Sequence, residues 1–494
     1  MVADTSKRPR LTDTVIHAVA PVDEHDAHPD GDANAKTGDS PRDSRLRPSA
    51  PADGRPSLDG ARDGARARDG VRGAASALAP VFDAVFGGPP PVVFEFWDGS
   101  RVGAGAASNS DHEPRVRFRS RRALRRIVWA PGELGLGRAY VAGDVDLCGD
   151  LPTLLRRLKD AMVNDRQFGL RELPAATRAA ARVGALGPPP RPPRHEAHLH
   201  GRRHTKARDA RAISHHYDVG NDFYRMVLGE SMTYSCARWG GGATSLEAAQ
   251  AAKHELVCRK LGLHVRRDVR LLDVGCGWGS LAMHAASHHG TRVVGVTISD
   301  EQYFLAHQRV KEAGLDDRVD IRLQDYRDLA GETFDAIASI GMFEHVGAAR
   351  TAEYFSVLRS LLRPTGRLLN HAISSIGSSR LSPRSFAGRY VFPDGELIDV
   401  AEVVRAMQRA GLEVREVESL REHYGATLRA WIANLERDWH AAVREVGEER
   451  ARVWRLYMAG SVVGFEDGGL SLHQVLGVVP TEHGHSAVPL HRDW

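Results

Sequence analysis

Apolar and polar positions divide this chain into blocks of different character. Over residues 1–75, segments such as DAHPDGDANAKTGDSPRDS show neither a helical nor a strand period, and a disordered tail is expected. From residue 76 a pattern sets in. PVVFEFWDGSRVG reads as strand, Asp-Gly turn and strand, and RVRFRS alternates with period two. SRRALRRIVWAPGELGLGRAYVAGDVDL then reads as helix, Pro/Gly turn and helix, so a small α+β domain is expected over 76–172. A Pro-, Arg- and His-rich stretch follows over 173–206. It contains PPPRPPR at Pro188 to Arg194 and is expected to be a stiff, extended linker.

From 207 to 494 strand and helix patterns alternate. RLLDVG, TRVVGVTI, VDIRLQD, FDAIASI, GRLLNHAIS and EVREVESL read as strands, and helical stretches such as SLAMHAASHH, EQYFLAHQRVKEAG and AEVVRAMQRAGL separate them. This order predicts an α/β fold with a doubly wound, mostly parallel sheet. A C-terminal helical block is expected after EVREVESL, with Leu428, Trp431, Leu435 and Trp439 as core positions at helical spacing.

Composition changes this picture only locally. The formal net charge of +4 is too mild to argue for nucleic acid. The run from Arg115 to Arg126, however, holds seven arginines and no acid. It suits an anionic membrane face, and equally a solvated arginine-rich face. Cys148, Cys236, Cys258 and Cys276 form no CxxC pair, so neither zinc nor a disulfide framework is expected. His195, His198, His200 and His204 read as an exposed linker cluster and are given no site. The short apolar patch ending at Pro21 falls short of a signal-peptide core, and no run approaches the roughly 20 apolar residues of a membrane span. The expectation is a cytoplasmic protein that touches a membrane from one side.

The chemistry concentrates at VRLLDVGCGWG, Val269 to Gly279. An apolar strand there enters a turn carrying Gly275, Gly277 and Gly279, and Asp273 precedes the turn, where a carboxylate can meet a cationic aminoacyl end or a hydroxyl. A dinucleotide fingerprint is absent. The loop is GCGWG rather than GxGxxG, and the next strand ends in Thr297, Ile298 and Ser299, followed by Gln302, without the expected acid. The DxGxGxG loop and the strand FDAIAS together resemble the class I S-adenosylmethionine methyltransferases.

Four further stretches narrow the resemblance: AISHHYDVGNDFYRMVLGESMTYSCARW, GVTISDEQ, SIGMFEHVG and VFPDGEL. With them the region from about 207 to the end is similar to the cyclopropane-fatty-acyl-phospholipid synthases and mycolic acid cyclopropane synthases. A weaker echo, GLGRAYVAGDVDLCGDL, lies in the preceding domain. The resemblance implies a Rossmann-like, seven-stranded methyltransferase sheet. It also implies one-carbon transfer from S-adenosylmethionine to the cis double bond of a phospholipid acyl chain, with a bound bicarbonate taking the proton so that a cyclopropane closes. A methylene-branched product, which would call for a reductase partner, is the alternative. A non-catalytic lipid-binding relative is the rival of another class.

The residues that the resemblance assigns to catalysis and bicarbonate are Cys236, Glu344, His371, the Ile373 backbone and Tyr424. Each has an ordinary structural alternative: a small buried thiol, a helix cap, a core histidine, a packing tyrosine. Their joint position at strand ends favours a site. For the cofactor the resemblance implies Tyr217, Tyr234 and Ser235 near the methionine part, and Asp273, Gly275, Cys276 and Gly277 along the loop. Thr297 and Gln302 fall at the ribose, and Asp325 and Tyr326 at the adenine, although Asp325 could also cap a helix. Where the family carries a late cysteine this chain has Ser461, which receives no role. The partner expected is a phospholipid surface at the inner membrane face, with no nucleic acid, and homodimerisation is compatible with the family.

Overall fold

A short run with apolar residues on both faces, such as RLLDV with Leu271 and Leu272, folds stably only where both faces of a strand are covered. The computed structural model describes residues 73–104, 113–162, 173–197, 208, 219–329, 331–382, 385–393, 395–492 and 494. In it this run is β5 (Arg270–Val274), buried in the middle of a seven-stranded sheet. The neighbouring elements are α6 (Asn221–Leu228), α7 (Leu246–Leu261), α8 (Ser280–His289), β6 (Arg292–Thr297), α9 (Asp300–Glu312), β7 (Val319–Leu323), β8 (Phe334–Ile340), α10 (Thr351–Ser360) and β9 (Leu362–Ser374). Next come β10 (Ser379–Arg380), α11 (Phe386–Tyr390), β11 (Glu396–Leu397), α12 (Val400–Arg409), β12 (Glu413–Ser419), α13 (Arg421–Arg437), α14 (Trp439–Val446), α15 (Glu448–Glu466) and β13 (Ser471–Val478).

Strand order across the sheet is β12-β13-β9-β8-β5-β6-β7. The pairs from β9 to β7 are parallel, and β13 is antiparallel to both β9 and β12. The fold class expected from the pattern is therefore present, but the C-terminal block expected to be helical also contains β13. SLHQVLGV has the length and apolar share of either element, and the gap between β9 and β12 decides for a strand. Leu428, Trp431 and Leu435 are buried and Trp439 packs partly buried against the same core.

The smaller sheet has the order β2-β1-β3-β4, from β1 (Val93–Glu95), β2 (Arg101–Val102), β3 (Arg115–Phe118) and β4 (Val145–Cys148). It is flanked by α1 (Ala74–Phe86), α2 (Arg121–Trp129), α3 (Glu133–Val141) and α4 (Leu151–Met162). Its arginine run finds acids elsewhere in the fold. Arg115 and Arg117 pair with Glu95, Arg119 with Asp146, and Arg122 and Arg126 with Asp144. The stretch expected to be an extended linker begins with a helix, α5 (Leu173–Arg182), whose Ala179 and Ala180 are buried. Its alanines favour the helix, Pro174 falls in the first turn where a missing N–H is tolerated, and the other prolines come later in the stretch.

One continuous core reaches from Phe94 and Phe118 of the small sheet to Trp431, Trp454 and Phe465. At Gly137 a Cβ would stand 2.4 Å from the Phe386 ring, so α3 lies against α11 at backbone distance. No helix among the described residues is long and apolar enough to cross a membrane.

Candidate active site

The chain leaves β5 through Gly275, where both the Gly275 and Cys276 N–H groups donate to the Val296 carbonyl at 3.0 Å. Gly275 has φ +75° and a Cβ there would meet Met342 at 3.0 Å, so the turn admits no side chain. The turn opens a cleft of about 1190 Å³, its mouth included, at the C-terminal ends of β5, β6 and β8, which is where doubly wound sheets place ligands.

Ten sequence-derived residues line this cleft: Tyr234, Ser235, Asp273, Gly275, Cys276, Gly277, Thr297, Gln302, Asp325 and Tyr326. Tyr217 lies outside the described residues. Thr297 Oγ1 donates to Gln302 Oε1 at 2.8 Å, and Ser299 caps α9 by accepting from the Gln302 N–H. Asp325 proves to be a cap as well as a lining residue: it accepts from the Arg327 N–H at 2.9 Å and pairs with the Arg327 guanidinium.

Asp273 is buried, its Oδ2 has no partner, and burial pushes its carboxyl up to about 7 against the pull of Lys253. Lys253 is itself fully buried. Burial lowers it to about 8, and its Nζ donates to Ser235 Oγ at 3.0 Å.

A second cluster gathers where β8 and β9 end. The short turn Phe343–His345 holds Glu344, whose Oε1 accepts from the Ile373 N–H at 2.7 Å while Oε2 is buried and without a partner. Burial pushes Glu344 up to about 7. His371 is buried and held neutral by burial, and its Nδ1 meets the Gln474 amide nitrogen at 3.1 Å across the β9–β13 pair. With the amide as donor Nδ1 accepts, so the ring proton sits on Nε2, which has no partner.

Ile373 pairs with Leu472, whose carbonyl accepts from the Leu420 N–H at 2.9 Å. Leu420 begins the helix of Tyr424, and its carbonyl receives the Cys236 thiol at 3.7 Å. All five residues therefore connect to one hydrogen-bonded framework. Two of them are turned to structural tasks: the Ile373 N–H serves Glu344, and the Cys236 thiol, pushed up by burial, faces the Ala237 and Leu420 carbonyls.

Aromatic rings join the two clusters. Tyr234 of the cleft packs on Trp431 at 5.3 Å and Trp454 at 5.8 Å, and Tyr424 on Trp431 at 6.0 Å. Residues 204–475 match the family model described as mycolic acid cyclopropane synthetase.

The chain belongs to the mycolic acid cyclopropane synthetase family. It is 42% identical over 416 residues to a Mycobacterium tuberculosis protein named "Probable fatty acid methyltransferase", covering 82% of this chain and 95% of that one. It is 33% identical over 381 residues to the cyclopropane-fatty-acyl-phospholipid synthase of Escherichia coli K12, covering 77% and 92%. A mycolic acid cyclopropane synthase crystallised with SAH and CTAB superposes with a TM-score of 0.51 at 31% identity, over 55% of this chain and 98% of that one. Like other members of this family, the chain is an S-adenosylmethionine-dependent methyltransferase.

Three residues beside the two clusters carry no signal of that placement in the sequence. Lys253 reads as an ordinary helical lysine within EAAQAAKHEL, and only its burial beside Asp273 marks it. Tyr457 is hydrogen-bonded to Tyr234 and Ser461 and lies within electrostatic reach of Glu344. Ser461, given no role from sequence, thereby acquires a neighbour in the site. The buried indole N–H of Trp431 has no partner. The helical spacing that identifies Trp431 as core carries no information about that N–H.

Proposed function

We propose that the chain transfers a one-carbon unit from S-adenosylmethionine to the cis double bond of an unsaturated phospholipid acyl chain and closes a cyclopropane ring. The observation that carries this reading is the pair of unpartnered buried atoms, Glu344 Oε2 and His371 Nε2, with Glu344 linked electrostatically through Tyr457 to Tyr234 of the cofactor cleft.

The residues fit the cofactor. Asp273 Oδ2 is an orphaned buried acceptor suited to a cationic amino group, and the Thr297–Gln302 pair offers polar atoms to ribose hydroxyls. Tyr234 and Ser235 would border the methionine end, Gly275, Cys276 and Gly277 the backbone side, and Asp325 and Tyr326 the adenine. When bound, the cofactor supplies an electrophilic methyl carbon.

The chain's own part is to exclude water and stabilise positive charge on the acyl chain. Trp431, Trp454, Tyr234 and Tyr424, which pack on one another, would supply ring faces for that purpose. An acid oxygen and an imidazole N–H, both unpartnered, are also complementary to a small protic oxyanion, and Glu344 and His371 would hold a bicarbonate between them. Bicarbonate supplies a weak base. Glu344, raised to about 7, can hold a proton at Oε2 near neutral pH.

Glu344→Gln should lower turnover by at least ~10²-fold, the usual weight of a proton-transfer group, and leave cofactor affinity unchanged in calorimetry. Retained turnover would refute the assignment. Mass spectrometry of acyl chains from a host lacking such an enzyme reads the product. A gain of one CH₂ that resists hydrogenation supports the ring, and an alkene that hydrogenates would instead establish the methylene branch.

A further inference from the structure

Behind the cofactor cleft, α7 and α8 bring together side chains for which the methyl transfer has no use. Cys258 on α7 and His284 and His289 on α8 each present one ligand atom, and the three atoms lie within 4.8 Å of one another. Glu255, one turn before Cys258, adds a carboxylate whose Oε2 is 2.9 Å from His289 Nε2 and 3.4 Å from His284 Nε2. Its other oxygen accepts from Arg259 Nε at 2.7 Å, which leaves Oε2 to the histidines.

A Glu–His pair would hold two helices together without a thiol. The sulfur in the same cluster is what changes the chemistry. One thiolate, two imidazoles and one carboxylate form a borderline-soft, four-ligand set of the kind tetrahedral zinc takes. No CxxC or HExxH spacing announces it, because the ligands come in two pairs from separate helices, Glu255 with Cys258 and His284 with His289, and only the packing of those helices joins them.

Access is one-sided. Cys258 is fully buried against the apolar core, the side chains of His284 and His289 are 12% and 8% exposed, and that of Glu255 is 33% exposed. An ion can therefore enter past the carboxylate and meet the sulfur last.

We propose that Glu255, Cys258, His284 and His289 form a zinc(II) site that fastens α7 to α8 at the back of the cofactor cleft. Metal–ligand bonds of about 2.0–2.3 Å require ligand atoms roughly 3.3–3.8 Å apart, so side-chain rotations must draw the Cys258, His284 and His289 atoms in by about 1 Å and swing the Glu255 carboxylate from the histidines toward the sulfur. Coordination takes the sulfur as thiolate, and its proton leaves to solvent. The two helices carry the cleft's most constrained parts. α7 holds Lys253, and α8 begins directly after the glycine turn. An ion joining them would make the cradle stiffer and the whole chain more stable, by mass action on the folded state.

Cobalt(II) serves as the optical probe, with the tag-free, chelator-stripped full-length protein. Titration should give a thiolate-to-cobalt charge-transfer band and tetrahedral visible bands that saturate at one ion per chain and disappear on zinc addition. Cys258→Ser should lose the charge-transfer band, His289→Gln should weaken zinc binding at least about tenfold, and Cys148→Ser should behave as wild type. Zinc should raise the melting temperature of wild type and of Cys148→Ser but not of Cys258→Ser. Circular dichroism and cofactor affinity of the metal-free variants establish that they fold. A cobalt spectrum without a sulfur band, a spectrum unchanged in Cys258→Ser, or a wild-type melting temperature indifferent to zinc would overturn the site.

Discussion

At the scale of single residues, Glu344 meets two opposed demands. It must be dry to sit beside an apolar substrate, and dryness raises the cost of its charge. Burial takes it from the usual 4.5 up to about 7, and Asp273 moves the same way, from 3.8 up to about 7. An acid raised on folding favours the fold fully below its unfolded value and loses that contribution as pH rises through its folded value. The contribution of these two acids to stability should thus decline as pH rises from about 4.5 to about 7, against the opposite trend of buried neutral histidines such as His371. Glu344→Gln, which does not ionise, should lack part of that decline, with Asp273 supplying the rest. Melting temperatures across this range check it, and parallel profiles for the two proteins would refute it. Glu344, His371 and Asp273 could be singled out as candidates in GMFEHVG, LLNHAIS and VRLLDVGCGWG. Their unpartnered atoms were not, because a missing hydrogen bond is a property of neighbours from other strands. Lys253 shows the same limit more sharply, since nothing in a helical lysine's spacing foretells its burial.

At the scale of elements, the join between the small sheet and the rest rests on α15. Arg452 there donates to the Tyr140 and Val145 carbonyls at 3.1 and 3.2 Å and to Asp146 at 3.0 Å, and its guanidinium lies 5.1 Å from the Tyr140 ring centroid. It is buried, so removing it strands these acceptors without water. Arg452→Met should cost about 3 kcal/mol, in the range for breaking a buried charged network. Chemical denaturation of the full chain measures this, and a loss within about 0.5 kcal/mol would show the join to be carried by apolar contacts instead. Local period located most strands and helices correctly. It missed β13 and α5, whose short or alanine-rich patterns suit more than one state until a neighbouring strand or α1 selects one; it also read β4 into a helical stretch, placed the start of α1 in the tail and gave no reading of α4, α6 or α7.

At the scale of the whole molecule, the acyl substrate proposed above sits in a bilayer, and a face of the chain must meet it. The arginine run suggested such a face from sequence, yet five of its seven arginines are paired with Glu95, Asp144 and Asp146. We propose that the contact is made by what remains: Arg121 and Arg125 beside Trp97, with Val128 and Trp129 exposed at the end of α2. At about 1 kcal/mol per basic residue near an anionic surface, Arg121→Glu with Arg125→Glu should weaken binding to phosphatidylglycerol vesicles by roughly tenfold or more. Flotation assays at low and raised salt check this, and binding indifferent to the substitutions, to salt and to lipid charge would refute it.

Sequence by itself determined the doubly wound class, the glycine cradle and the family, because these depend on local period and on residues contiguous along the chain. Only the tertiary structure decided which arginines keep their charge free, which buried atoms lack partners and which helices bring Cys258 to His284 and His289. Those are distances between residues far apart in sequence, and packing alone sets them.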